Sequence, residues 1–149
     1  MRNKLGRNGG RVSVLSPSFA WVRLLLLAPL AFGPLRADAE SPLTAQVVMT
    51  EFAFHPSTVR LPADRPVTLV LVNHGQLAHQ FETAYLRSTP ASVVGDTLRF
   101  EAPGIKLVRL QPGTVAEITF LPRTRGRFSF ACTIEGHREA GMRGILEVR

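Results

Sequence analysis

The chain has 149 residues, 45% of them hydrophobic and 19% charged, with a formal net charge of +7, one cysteine and one tryptophan. This length suits one domain around one core, and a single cysteine excludes a fold stapled by intramolecular disulfides. The basic excess does not mark a nucleic-acid surface, because it is concentrated at the N-terminus.

Residues 1–39 read as a targeting segment. Arg2, Lys4, Arg7 and Arg11 make a basic front, an apolar run follows from Leu24 to Phe32, and Ala37-Asp38-Ala39 has the small-x-small pattern that precedes a cleavage site. The run is well short of the roughly 18 or more apolar residues that span a bilayer. A secretory signal cleaved after Ala39 is therefore expected, with a periplasmic or otherwise extracytoplasmic location and no stable membrane insertion afterwards. No Arg-Arg pair precedes the run, which points to the general secretory route. Six of the eighteen Lys/Arg (Arg2, Lys4, Arg7, Arg11, Arg23, Arg36) and one acid, Asp38, lie in this segment. The remainder, residues 40–149, keeps twelve basic and ten acidic residues. No nucleic-acid partner is implied.

That remainder reads as short strands between Pro/Gly turns, with almost no helical periodicity. Thr44 to Phe54 is a β-rich run, and Ser57 to Leu61 a short strand closed by Pro62-Ala63-Asp64. The apolar run Val67 to Val72 suits a strand at the centre of a sandwich, and Asn73-His74-Gly75 marks a turn after it. Further strands are expected at His79 to Thr83, Thr97 to Glu101, Lys106 to Leu110, Val115 to Leu121, Arg127 to Cys132 and Gly144 to Arg149. Gln111-Pro112-Gly113-Thr114 has turn chemistry. Tyr85 to Asp96 is the least regular stretch, expected as a surface loop with room for a short helical turn. The pattern implies an all-β sandwich or barrel.

Cys132 is the lone thiol. In an oxidising compartment such a group survives when it is buried or bound to a metal. His137 follows it by five residues and Met142 follows His137 by five, with Gly136 and Gly141 in the two intervals. A glycine-bearing loop can converge three such side chains, whereas a strand alternates them and a helix spreads them. Thiolate with imidazole suits copper or zinc, and two His, one Cys and a weak axial Met form the trigonal site of blue-copper proteins. A thioether is a poor zinc ligand, so copper is favoured. The second imidazole is expected from His79, which opens a strand shortly after the buried run. His74 lies in the turn, and His55 precedes Pro56, where an extended, exposed backbone is expected.

With these residues in place, the chain resembles the cupredoxins, the small copper-binding sandwiches that include plastocyanin, azurin and rusticyanin. Three segments carry the likeness: "FAFHPSTVRLPADRPVTLVLVNHG", "HQF" at the first histidine, and "FSFACTIEGHREAGMRGILEVR" at the C-terminal ligand loop. Together they span nearly all of residues 44–149. The resemblance implies a Greek-key β-sandwich with one copper ion, ligated by His79, Cys132, His137 and axial Met142. The Cys-x4-His-x4-Met spacing is similar to that of rusticyanin-like members. Where the family often places Glu, Asp, Asn or Ser after the first histidine, this chain has Gln80, so a departure in the hydrogen bonding around the centre is expected.

The expected function is one-electron carriage between redox protein partners, by a monomer that is not an enzyme. An oxidase or nitrite reductase needs further histidine clusters, and no His-x-His pair exists. The alternative is a copper carrier or copper-tolerance protein that binds the metal for delivery or sequestration. Methionine-rich or histidine-rich tails would favour that alternative and are absent, which places electron transfer first on sequence alone. The charged rim of Arg138 and Glu139 beside His137 makes partner choice dependent on charge.

Overall fold

A computed structural model describes residues 41–149. The targeting segment, its cleavage after Ala39 and the apolar run lie outside the described residues. Two sheets face each other. The first has the strand order β2-β1-β4-β9-β6-β7, built from Ala53–His55, Leu43–Thr50, Val67–Asn73, Val115–Phe120, Ala91–Gly95 and Arg99–Ala102. The second has the order β3-β11-β10-β5-β8, built from Thr58–Leu61, Arg143–Val148, Gly126–Ala131, His79–Thr83 and Val108–Leu110. A single helical turn, α1 (Ala84–Arg87), is capped by the Thr83 hydroxyl, which accepts the Tyr85 amide. Among the described residues no helix is long and apolar enough to cross a membrane.

The chain is an all-β sandwich, one of the two architectures the strand pattern implied, with the Greek-key arrangement that the resemblance implied. It passes between the sheets repeatedly, and two of its pairings are parallel, β1 with β4 and β3 with β11. The apolar run of β4 lies between β1 and β9, as expected of a central strand. Val67, Leu69 and Leu71 are fully buried, while Thr68 and Val70 alternate with them half-buried. Val47, Met49 and Ile118 from the same sheet and Phe81, Phe130 and Leu146 from the other complete the interior. Each fully buried side chain of this size contributes roughly 1.5–3 kcal/mol relative to exposure. Phe54, Phe81 and Phe130 form an aromatic cluster at centroid separations of 4.8–6.0 Å.

Two expectations fail. Tyr85 to Asp96 is more than a loop: α1 supplies the helical turn, but Ala91–Gly95 then forms β6, paired with both β7 and β9. Val93 is 5% exposed there, and Pro90 before the strand with Gly95 at its end and Asp96 after it had masked these five residues. Nor is Thr44 to Phe54 one run. It breaks at Glu51-Phe52, a two-residue turn that folds β2 back on β1 with Thr50 opposite Ala53. Phe52 holds φ at 59°. For a residue with a Cβ this left-handed conformation costs about 1–2 kcal/mol, which asparagine or glycine would largely avoid.

Candidate metal centre

The site forms at one end of the sandwich, where β5 begins and its antiparallel neighbour β10 ends. Their pairing runs through Phe130↔Thr83 and Ala131↔Glu82. Continued past its last pair, the same register sets Cys132 beside the first residues of β5 and Thr133 across from Gln80. A strand end is the natural place for this, because the backbone ladder stops and the side chains beyond it turn toward the loops.

His79 enters from a loop that is tied down before it. Asn73, at the end of β4 and fully buried, donates from Nδ2 to the carbonyls of Leu77 (2.9 Å) and Leu110 (3.1 Å), and its Oδ1 accepts the Gly75 amide at 2.9 Å. Gly75 is required by close approach: a Cβ there would lie 2.7 Å from Glu51 Oε1 and 2.8 Å from His79 Nε2. Glu51 Oε1 accepts the amides of Gln76 (2.5 Å) and Leu77 (3.4 Å), and the first of these bonds is the main reason its carboxyl is held below the usual carboxylate range.

The other donors come from the loop 132–142, which closes on itself. The Cys132 amide donates to the Met142 carbonyl at 3.1 Å, the Met142 amide to the His137 carbonyl at 2.9 Å, and the His137 amide to the Ile134 carbonyl at 3.1 Å. Gly136 and Gly141 take positive φ values of 81° and 109°, the conformational freedom anticipated from their spacing.

One donor atom from each of His79, Cys132 and His137 lies within 4.8 Å of the others. Cys132 Sγ is 3.4 Å from His137 Nδ1, and the two imidazole centroids are 5.2 Å apart. His79 and Cys132 are fully buried, and His137 is 7% exposed. Met142 is also fully buried, in the same loop. His55 and His74 are exposed, the former against the Thr50 hydroxyl at 3.2 Å, and neither joins the group.

The donor set fits a metal on its own terms. Among the described residues neither ring nitrogen of His79 has a hydrogen-bond partner although both are buried, a costly arrangement for a polar side chain without a further ligand. Burial, and after it the neighbouring His137, holds the His79 imidazole below the usual histidine range, partly opposed by Glu51. It is thus neutral near pH 7, the form that coordinates a metal. Buried thiol, two imidazoles and a thioether in the same closed loop match copper better than zinc.

Gln80, the departure from the family pattern, is integrated in the site. Its amide donates to Cys132 Sγ at 3.4 Å, and its Oε1 accepts the Thr133 hydroxyl at 2.6 Å. Sequence reasoning did not find Asn73, Glu51, Phe52 or Thr133 as parts of this end of the molecule. Asn73 carried a turn signal only, and the two residues of the β1–β2 turn were hidden inside a run read as one strand.

Comparison with known proteins agrees with this fold. The profile of the cupredoxin-like domain matches residues 19–146. The copper-resistant cuproprotein CopI of Rubrivivax gelatinosus is 34% identical over 116 residues, covering 74% of this chain and 69% of its own length. The copper-resistant cuproprotein CopI of Pseudomonas aeruginosa is 27% identical over 152 residues, covering 80% of this chain and 83% of its own. Among solved structures, the fold is similar to auracyanin from Roseiflexus castenholzii, with a TM-score of 0.53 at 19% identity over 73% of this chain and 98% of that one.

Proposed function

This chain belongs to the cupredoxin-like family and binds copper, and from that premise we propose that it is an exported copper-tolerance protein, holding copper for sequestration or delivery outside the cytoplasm. His79, Cys132 and His137 would be the principal residues holding the ion, with the Met142 thioether as a further donor from the same loop as Cys132 and His137. The observation that carries the ligand assignment is the fully buried His79 ring, whose two nitrogens find no hydrogen-bond partner among the described residues and which stands within donor range of Cys132 and His137.

Each residue contributes something a copper-holding site needs. Cys132 offers a sulfur donor shielded from oxidants by complete burial. His79 is neutral and pre-positioned by the loop that Asn73 and Glu51 fasten. The Gln80 amide holds the sulfur from one side while the Gln80–Thr133 bond ties the two ligand-bearing segments together. Copper, once bound, supplies a one-electron redox centre with a strongly covalent thiolate bond.

Copper tolerance moves ahead of electron carriage because both curated relatives above are named copper-resistant cuproproteins. The absence of methionine-rich tails, which favoured electron transfer on sequence, carries less weight beside them. Electron carriage remains the second reading, favoured by His137, which at 7% is more exposed than the fully buried His79. A redox or copper-accepting protein is the partner in either case. A strain lacking the gene, complemented with wild type or Cys132→Ser, separates the readings. Loss of growth on copper, restored only by wild type, supports tolerance. Unchanged growth with a lost electron-transfer activity reverses the order.

A further inference from the structure

The β1–β2 turn reaches the metal centre although neither of its residues belongs to the donor set. Phe52 and His137 meet edge to face, with centroids 5.2 Å apart and planes at 77°. It does so at an unfavourable φ of 59° and while 43% exposed, so burial of its own ring does not account for the conformation. His137, the imidazole with some exposure, lies beneath it. Glu51, one residue earlier, spans to the loop before His79 and binds the Gln76 and Leu77 amides, while the His74 amide donates to the Met49 carbonyl at 2.9 Å. Glu51 thus fastens the turn to the loop at two amides, a third amide ties the same loop to β1 at Met49, and the turn packs on His137 through Phe52.

We propose that the Glu51–Phe52 turn is a cover for the copper ligands: Phe52 shields His137, Glu51 fastens the turn to the loop that positions His79, and opening of this cover sets the rate at which copper and soft reagents reach Cys132. The inference rests on the copper-holding reading above and adds a control point to it. A site of this kind must retain copper yet release it to an acceptor, and a strained turn held by a carboxylate and two amides is a local unit that opens without unfolding the sandwich. Phe52 and Glu51 are positioning residues, since they act through His137 and His79.

The test uses the purified protein in metal-free and copper-loaded forms, with two readouts. One is the alkylation rate of Cys132 by iodoacetamide in the metal-free form, and the other is the rate of Cu(I) transfer to bicinchoninate from the loaded form. Phe52→Gly and Glu51→Ala are expected to raise both rates by about tenfold or more, as removal of a local closing interaction does. Phe52→Trp retains a ring over His137 and keeps both near wild type, and Glu51→Gln retains an acceptor oxygen and keeps most of the protection. Glycine also relieves the positive φ, so the thermal midpoint of metal-free Phe52→Gly holds or rises while its thiol becomes more reactive. A purely structural role for Phe52 predicts that stability and protection fall together. Unchanged alkylation and transfer in a folded Phe52→Gly protein overturns the cover and leaves the copper site standing. Faster alkylation in Phe52→Gly, with no copper bound by wild type, supports the cover and overturns the copper-holding function.

Discussion

Thr133 donates its hydroxyl to the side-chain oxygen of Gln80 at 2.6 Å, across the two segments that carry the ligands. The β5–β10 register, extended beyond its last backbone pair, makes them neighbours, and the Gln80 amide binds Cys132 Sγ from the same position. One residue therefore holds the sulfur with its backbone and the opposite loop with its side chain.

Breaking that cross-link has a defined energetic signature. Thr133→Val and Gln80→Leu should each cost about 0.5–1 kcal/mol of stability in the metal-free protein, the net worth of an ordinary hydrogen bond. Because both remove the same contact, the double variant should cost little more than either single one. Urea unfolding of the four proteins measures this, and full additivity would show that the pair does not interact in solution.

On the proposed ligand set, Cys132→Ser abolishes the intense visible absorption of the copper-loaded protein, because that band arises from thiolate-to-copper charge transfer. Met142→Leu keeps the band and raises the reduction potential, since loss of an electron-donating thioether disfavours the more highly charged Cu(II). Absorption spectra and voltammetry of the two variants decide it. An unchanged potential in Met142→Leu would remove Met142 from the site.

Phe130 is 1% exposed and packs on Phe54 and Phe81, one residue before the buried end of β10. Phe130→Ala should destabilise the protein by about 3–5 kcal/mol through lost burial and the cavity left behind. Calorimetry of the metal-free form gives the value. A cost below about 1 kcal/mol, the range of volume-conserving core changes, would mean that the cluster repacks freely.

Glu147 joins β3 to β11, accepting from Arg149 Nη2 at 2.9 Å and lying 3.3 Å from Arg60 Nε. The Arg149 bond, foremost, holds its carboxyl below the usual carboxylate range. A group whose folded pKa is lowered adds stability above its unfolded value, about 4.3, and that contribution disappears as pH falls through the lower folded value. The stability gap between wild type and Glu147→Gln should therefore be widest near neutral pH and close in acid. Urea midpoints from pH 7 down to pH 3 test the sign, and a constant gap would exclude the ion pair as its source.

Much of this molecule is legible from residues alone, and the reason differs from place to place. The ligand loop declares itself because three soft or borderline donors at fixed spacing, with glycines between them, serve few other purposes. His79–Thr83 is visible as a strand because its alternation matches a half-buried face. β6 escapes because it is five residues long, preceded by a proline and ending in a glycine, and only its pairing with β7 and β9 makes it a strand. The Glu51-Phe52 turn escapes for the opposite reason. It lacks the glycine or asparagine that would announce a left-handed position, so the turn is imposed by the sandwich against local preference. Gln80 was read as a departure, yet its backbone amide reaches the sulfur whatever the side chain, and its longer side chain still finds Thr133.

The donors brought together here lie in two stretches more than fifty residues apart, at His79 and from Cys132 to Met142. An extended chain offers copper only the second stretch, and the first arrives when β5 settles between β8 and β10. Full affinity therefore belongs to the folded chain, and by linkage the bound metal lowers the fraction of time that chain spends open. Proteases that cleave the opened state will turn over empty molecules faster than loaded ones. The lifetime of the protein, and with it its abundance, should follow the copper supply with no dedicated sensor required.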